Sequence, residues 1–148
     1  MRASPGAVAL ADAVEQLLTA LVQRRRVLGE EEPSPLSTFQ GVALGVLVDA
    51  GPLRLGVLAE ALRTTDATTS RTIDALAAHG LAERQNDPAD GRGVLVTATA
   101  HGHQTINRRR NRLALLLEDL VADMEPLEGQ RLTDLLGELH DLLVGHNA

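Results

Sequence analysis

The sequence predicts a mainly α protein with one small β-hairpin set in its middle and apolar helices at both ends. Three observations predict it. Apolar residues recur at spacings of three and four along most of the 148 residues, the pattern of helix faces. Two short β-prone runs, Leu81–Gln85 and Val94–Thr97, bracket a segment dense in turn residues, Asn86-Asp87-Pro88-Ala89-Asp90-Gly91. The chain is 44% hydrophobic with Phe39 as its only aromatic residue, so Leu, Val and Ala must fill the interior, and Leu and Ala favour helix.

The elements follow in order. Leu10, Val14, Leu17, Leu18, Leu21 and Val22 predict a first helix over about 6–28. The stretch Gly29 to Pro35, GEEEPSP, reads as a loop. Ser37 or Thr38 caps a second helix that runs to about Ala50, with Val42, Val46 and Leu47 as its apolar positions, and Gly51-Pro52 stops it. Leu55, Leu58, Ala59 and Leu62 mark a short amphipathic helix, and Arg63-Thr64 a brief turn. Thr65 is an N-cap for a fourth helix, Asp66 suits the positive end of its dipole, and Ile73, Leu76 and Ala77 are expected to face inward. Gly80 ends that helix. After the hairpin, Ile106, Leu113, Leu117, Leu120 and Val121 predict a long helix over about 102–124, broken by Pro126. Leu132, Leu135, Leu136, Leu139, Leu142 and Leu143 predict a last helix over about 128–144.

Composition removes several function classes. There is no cysteine, so disulfides, thiolate catalysis and thiol redox sensing are excluded. The first residues carry acids early and no stretch approaches ~18 uninterrupted apolar residues, so neither a signal peptide nor a membrane span is expected, and the chain reads as cytoplasmic. The net charge of -6 is unevenly spread. Between Pro52 and Arg112 nine Arg face six acids, a net +3, and the remainder carries -9. Local field governs attraction to phosphate, so the acidic total does not exclude a nucleic acid. Every Lys/Arg position is Arg, which suits bidentate phosphate or guanine contacts and equally fits codon bias.

Two short helices, a tight turn and a capped second helix match the helix-turn-helix plan. The second of these opens Thr65-Asp66-Ala67-Thr68-Thr69-Ser70-Arg71, with hydroxyls for phosphate or base edges and one Arg for guanine or phosphate. Thr-rich starts are also simply good caps. The hairpin tip sets Arg92 between two glycines, where it can enter a narrow minor groove, with Asp90 placed to orient it by an ion pair.

The order of helix-turn-helix, Ala-His-Gly-Leu-Ala-Glu-Arg (78–84), Asp-x-Arg (90–92), strand and Thr-x-x-Gly (99–102) resembles the MarR (multiple antibiotic resistance regulator) family, and Leu36-Ser-Thr-Phe-Gln40 resembles that family's opening of its second helix. The resemblance implies a winged helix-turn-helix lobe over 37–100, and helical dimerisation regions over 1–30 and 102–148. It implies a homodimer on a pseudo-palindromic double-stranded operator. Thr68, Thr69, Ser70 and Arg71 would lie at the major groove and Arg92 in the minor groove, with Asp90 in support. Arg54 and Thr65 complete the candidate DNA-binding set. It further implies a repressor released by a small-molecule effector, with no cofactor. This chain departs from the family at Ala98, where Leu is frequent, and at Gly91, where a second Arg is common in the wing. With Arg71 as the one long base-reading side chain, phosphate contacts and DNA shape should carry more of the specificity.

Rival readings are weaker. His101 and His103, and His140 and His146, have poor spacing for a shared metal. No nucleophile elbow, phosphate loop or paired metal motif marks an enzyme. The main alternative is a winged-helix module that contacts protein with little or no DNA binding. Arg108, Arg109, Arg110 and Arg112 can touch phosphate or pair with acids, and helical charge runs more often do the latter. The terminal helices carry more Leu than two helices can cover, and each buried Leu is worth ~1.5–3 kcal/mol, which points to a second copy.

Overall fold

A computed structural model describes residues 4–27, 36–90 and 93–145. The expected loop at Gly29–Pro35, Gly91, Arg92 and His146 lie outside the described residues. The elements are α1 (Pro5–Val27), α2 (Thr38–Ala50), β1 (Leu53–Arg54), α3 (Leu55–Ala61), α4 (Asp66–Ala78), β2 (Ala82–Asn86), β3 (Val94–Ala98), α5 (Ala100–Ala122) and α6 (Pro126–Gly145). They divide into two compact units, Glu31–Arg112 and Met1–Glu30 with Leu113–Ala148, and the division falls inside α5.

In the central unit the local signals act as their chemistry dictates. Ser37 accepts from the Gln40 amide while the Gln40 side chain accepts from the Ser37 amide, a reciprocal capping box that starts α2. Gly51 takes φ 78° to end it, a conformation without steric cost only for glycine. Between α3 and α4, Arg63 adopts φ 51°, which strains a residue bearing a Cβ. The core gathers Leu44, Leu47, Leu58, Ile73, Leu76, Leu81, Val96 and Ile106, with Leu53, Leu55 and Leu62 packed against it.

The sheet has three antiparallel strands in the order β1-β3-β2. The sequence expectation held two. Leu53 pairs Val96 and Arg54 pairs Leu95 on one side of β3, while Ala82 to Asn86 pair Ala98 to Val94 on the other. Alternation along β3 buries Val96 and Ala98.

The Thr99-x-x-Gly102 spacing has a direct cause. The Thr99 hydroxyl donates to the Gly80 carbonyl at 2.7 Å and accepts from the Gly102 amide at 3.0 Å, joining the end of α4 to the start of α5. A Cβ at Gly102 would run into the Leu81 carbonyl, which already accepts from the Thr99 amide.

Several inward faces differ from expectation. In α2, Val42 is exposed and Ala43 and Leu44 are buried. In α4, Ala77 is exposed, and Thr69 and Thr72 are buried with Ile73 and Leu76. A helix face is fixed by what packs on it, and small residues carry too little apolar area to fix its phase. Pro126 starts α6, because its missing N–H costs nothing in a first turn.

The other unit holds α1, α6 and the end of α5. Leu10, Leu17, Leu18 and Val22 of α1, and Leu127, Leu135, Leu136 and Leu142 of α6, are each at least half exposed. Leu116 of α5 is buried. Over Pro5–Arg24, α1 is long and apolar enough to cross a membrane by length and composition, unlike the expectation of no such helix. Asp12 and Glu15 interrupt it, and an acid at a bilayer centre costs roughly 2.5–3.5 kcal/mol.

Candidate nucleic-acid interface

α4 begins on a side-chain cap. Thr65 accepts from the Thr68 amide at 3.2 Å, and the Thr65 and Thr68 hydroxyls are 3.0 Å apart. Asp66 in the first turn matches the helix dipole. Thr65, Asp66, Ala67, Thr68 and Arg71 are exposed, and Ser70 is half-buried. Arg71 has no ion-pair partner among the described residues. One exposed face therefore carries Thr68 and Arg71, three residues apart, with the capping Thr65 at its start.

Thr69 does not belong to that face, contrary to the sequence expectation. It is fully buried, and its hydroxyl has no hydrogen-bond partner among the described residues. The side chain fills a position between α4 and the core, where a base edge cannot reach it. Thr72 is also buried, but its hydroxyl donates to the Thr68 carbonyl at 2.9 Å.

Arg84 of β2 fixes the outer side of α4. Its guanidinium donates to Asp74 at 2.8 Å and to the Ser70 hydroxyl at 3.0 Å. Ser70, an expected DNA contact, is thus already engaged by a cation of its own lobe. Arg84 was absent from the expected site; an Arg ten residues beyond an Asp, across a helix end, leaves no local signature.

The hairpin β2–β3 is organised at its base by Asp87, which is buried. The Asp87 amide donates to the Gly93 carbonyl, and the Gly93 amide to the Asp90 carbonyl. One Asp87 carboxylate oxygen accepts from the Ala89 amide at 2.9 Å. The other accepts from Arg54 Nε at 3.1 Å and Nη2 at 2.7 Å. Arg54 Nη2 also lies 3.3 Å from Asp90 Oδ2. The Ala89 amide, and then the Arg54 guanidinium, hold the Asp87 carboxyl below its ordinary pKa. Asp87 in turn raises that of Arg54. The expected pairing of Asp90 with Arg92 falls on a residue outside the described ones; within them, Asp90 faces Arg54. Arg54, expected at the DNA, is held by two carboxylates.

On α5, Arg110 donates to both oxygens of Asp49 at 2.9 and 2.7 Å, which lowers the Asp49 pKa. The guanidinium of Arg109 lies over Gly41, where a Cβ would overlap it. Arg108 reaches the Thr105 hydroxyl at 3.5 Å. Structural pairing therefore accounts for Arg110.

The charge balance also changes once the units are known. Glu31–Arg112 carries nine Arg and nine acids, net zero, and the terminal unit five Arg and eleven acids. The central unit is neutral as a whole, and its cations outnumber its acids only from Pro52 onward. Among the described residues no group of three or more His, Asp or Glu is arranged to hold a metal ion.

Comparison with known proteins agrees with this architecture. A profile described as the MarR family matches residues 35–93. An HTH-type transcriptional regulator of Mycobacterium leprae is 35% identical over 107 residues, 71% of this chain and 75% of that protein. The crystal structure of RV1404 from Mycobacterium tuberculosis superposes with a TM-score of 0.72 over 95% of both chains, at 22% identity. BpsR of Bordetella bronchiseptica, whose DNA binding is regulated by 6-hydroxynicotinic acid, superposes with a TM-score of 0.61 over 93% of this chain and 94% of its own, at 25% identity. A capped second helix, a three-stranded winged lobe, a matching family profile and a close relative named for transcriptional control lead to one assignment: the chain belongs to the MarR family of transcriptional regulators.

Proposed function

We propose that this regulator binds a pseudo-palindromic double-stranded operator as a homodimer, in the cytoplasm, and represses transcription until a small-molecule effector lowers its DNA affinity. The observation that carries the reading is the exposed face of α4, where Thr68 and Arg71, which has no ion-pair partner among the described residues, stand beside the capping Thr65. Arg71 takes guanine or phosphate in the major groove, and Thr65 and Thr68 take phosphate oxygens. Ser70 serves through Arg84 rather than alone, and Thr69 serves the core. Arg92 enters the minor groove from the hairpin tip. The terminal helices, 1–30 and the last two helices of the chain, supply the contact between two copies. Two recognition helices then meet half-sites one helical turn apart or a multiple of it. Effector control is supported by the likeness to BpsR.

The test is a duplex selected from random-sequence DNA by the wild-type protein. Arg71→Ala should cost about 1–3 kcal/mol of affinity if it makes a bidentate base contact, and less if it meets phosphate alone. Arg92→Ala should weaken binding and reduce the preference for narrow-groove sequence. Wild-type affinity in both variants would remove this reading in favour of a protein-contacting module.

A further inference from the structure

Two acids and one Arg at the base of the hairpin do something the DNA-contact reading does not use. We propose that Arg54 and Asp87 are the positioning pair of the wing: Arg54 makes no phosphate contact, and its ion pair with Asp87 holds the hairpin base in the form that meets DNA. This rests on the reading that the hairpin touches DNA.

Three observations carry it. Arg54 sits on β1, the short strand on the far side of β3 from β2, so its contact with Asp87 ties all three strands at one end of the sheet. Both Arg54 bonds to Asp87 fall on one oxygen, which leaves the other oxygen for the Ala89 amide. Asp87 therefore joins strand, Arg and turn through a single buried carboxylate. Lastly, the Asp87 amide and the Gly93 carbonyl close the base of the tip, and Asp90 adds a second carboxylate to the same guanidinium.

Chemistry then decides between positioning and contact. A guanidinium that already faces two carboxylates is largely neutralised and gains little from a phosphate, even though its Nη1 donors stand outside those bonds. Removing Arg54 leaves Asp87 buried and unpaired, whereas removing both partners does not. Positioning predicts that the loss from the two single changes is shared; a phosphate contact predicts that it belongs to Arg54 alone.

The experiment compares Arg54→Met, Asp87→Asn, the double variant and Asp90→Asn in the full chain, with the selected duplex over a range of salt. Positioning predicts about tenfold weaker binding for each of the first two, with no further loss in the double variant. The slope of log K against log salt stays at the wild-type value, because no phosphate contact is lost. Asp90→Asn has a smaller effect. A slope shallower by about one in Arg54→Met, with wild-type affinity in Asp87→Asn, would make Arg54 a phosphate contact and overturn the proposal.

Amide hydrogen exchange in the DNA-free protein gives a second readout. The Ala89 and Gly93 amides should exchange faster in Arg54→Met and Asp87→Asn alike, with core amides such as Leu76 unchanged. Unchanged exchange at both amides would also overturn the pairing. A wild-type protein that binds no duplex but shows the exchange effect would instead remove the proposed function and leave the pair intact.

Discussion

The central unit and the terminal helices treat leucine in opposite ways. In Glu31–Arg112, Leu44, Leu47, Leu58, Ile73 and Leu76 have no solvent exposure at all. In α1 and α6, Leu10, Leu17, Leu135, Leu136 and Leu142 are half exposed or more. The charges differ in the same sense. The central unit balances nine Arg with nine acids and ties Arg54, Arg84 and Arg110 to Asp87, Asp74 and Asp49. The terminal unit carries a surplus of acid. One region closes its leucine core by itself and ties several of its Arg to its own acids. The other presents apolar stripes whose area asks for a second surface. Under the proposed function, a DNA-reading lobe needs rigid presentation of a few side chains, and helices that join two copies need an open face.

Equal substitutions in the two regions should therefore have unequal consequences. Leu58→Ala should cost about 2–5 kcal/mol of stability in urea unfolding, because it empties a closed core. Leu135→Ala should leave the central unit's unfolding unchanged and instead make the melting temperature fall more steeply on dilution. Equal losses from both changes, independent of concentration, would erase the distinction.

Gly102→Ala comes next. The added Cβ meets a backbone carbonyl and not a side-chain tip, so the start of α5 must move, at a cost of roughly 1–3 kcal/mol. The same substitution at Gly129 or Gly137 in α6 meets nothing and should be neutral or slightly stabilising through helix propensity. Denaturation midpoints of the three variants check this.

Thr69→Val is expected to stabilise the central unit by up to about 1 kcal/mol, since it removes a buried hydroxyl that has no partner among the described residues. A clear loss of stability would mean that the hydroxyl is satisfied.

The smallest effect is electrostatic. Arg110 depresses the Asp49 pKa, so this pair stabilises above the ordinary carboxylate value of about 3.9 and loses its contribution as pH falls through the lower folded value. Both partners are more than half exposed, and pairs of this kind are worth ~0.2–1 kcal/mol. Asp49→Asn should lower stability by that amount at pH 7 and converge on wild type once the pH has fallen below that lowered value.

Much of the lobe was legible because its signals are local. Ser37 or Thr38 as the cap of α2, Thr65 before Asp66, and Gly80 each act within a few residues of themselves, and the Thr99-x-x-Gly102 spacing was legible by resemblance. The illegible parts depend on partners far along the chain. β1 is two residues long and has no period to read. Asp87 looks like an ordinary turn acid until Arg54, 33 residues earlier, is found beside it. Thr69 and Thr68 are indistinguishable by type, and only the packing of α4 sends one into the core and the other to the surface. In the terminal helices the apolar stripes were plain, and the exposure of Leu135 and Leu136 bears on why they are there.

The most direct test is the mass of the full chain in solution by sedimentation equilibrium, at micromolar concentration and moderate salt. A finished lobe joined to unfinished terminal helices predicts twice the 15.7 kDa chain mass. A single-chain mass across that range, with Leu135→Ala melting as wild type does, would contradict the account.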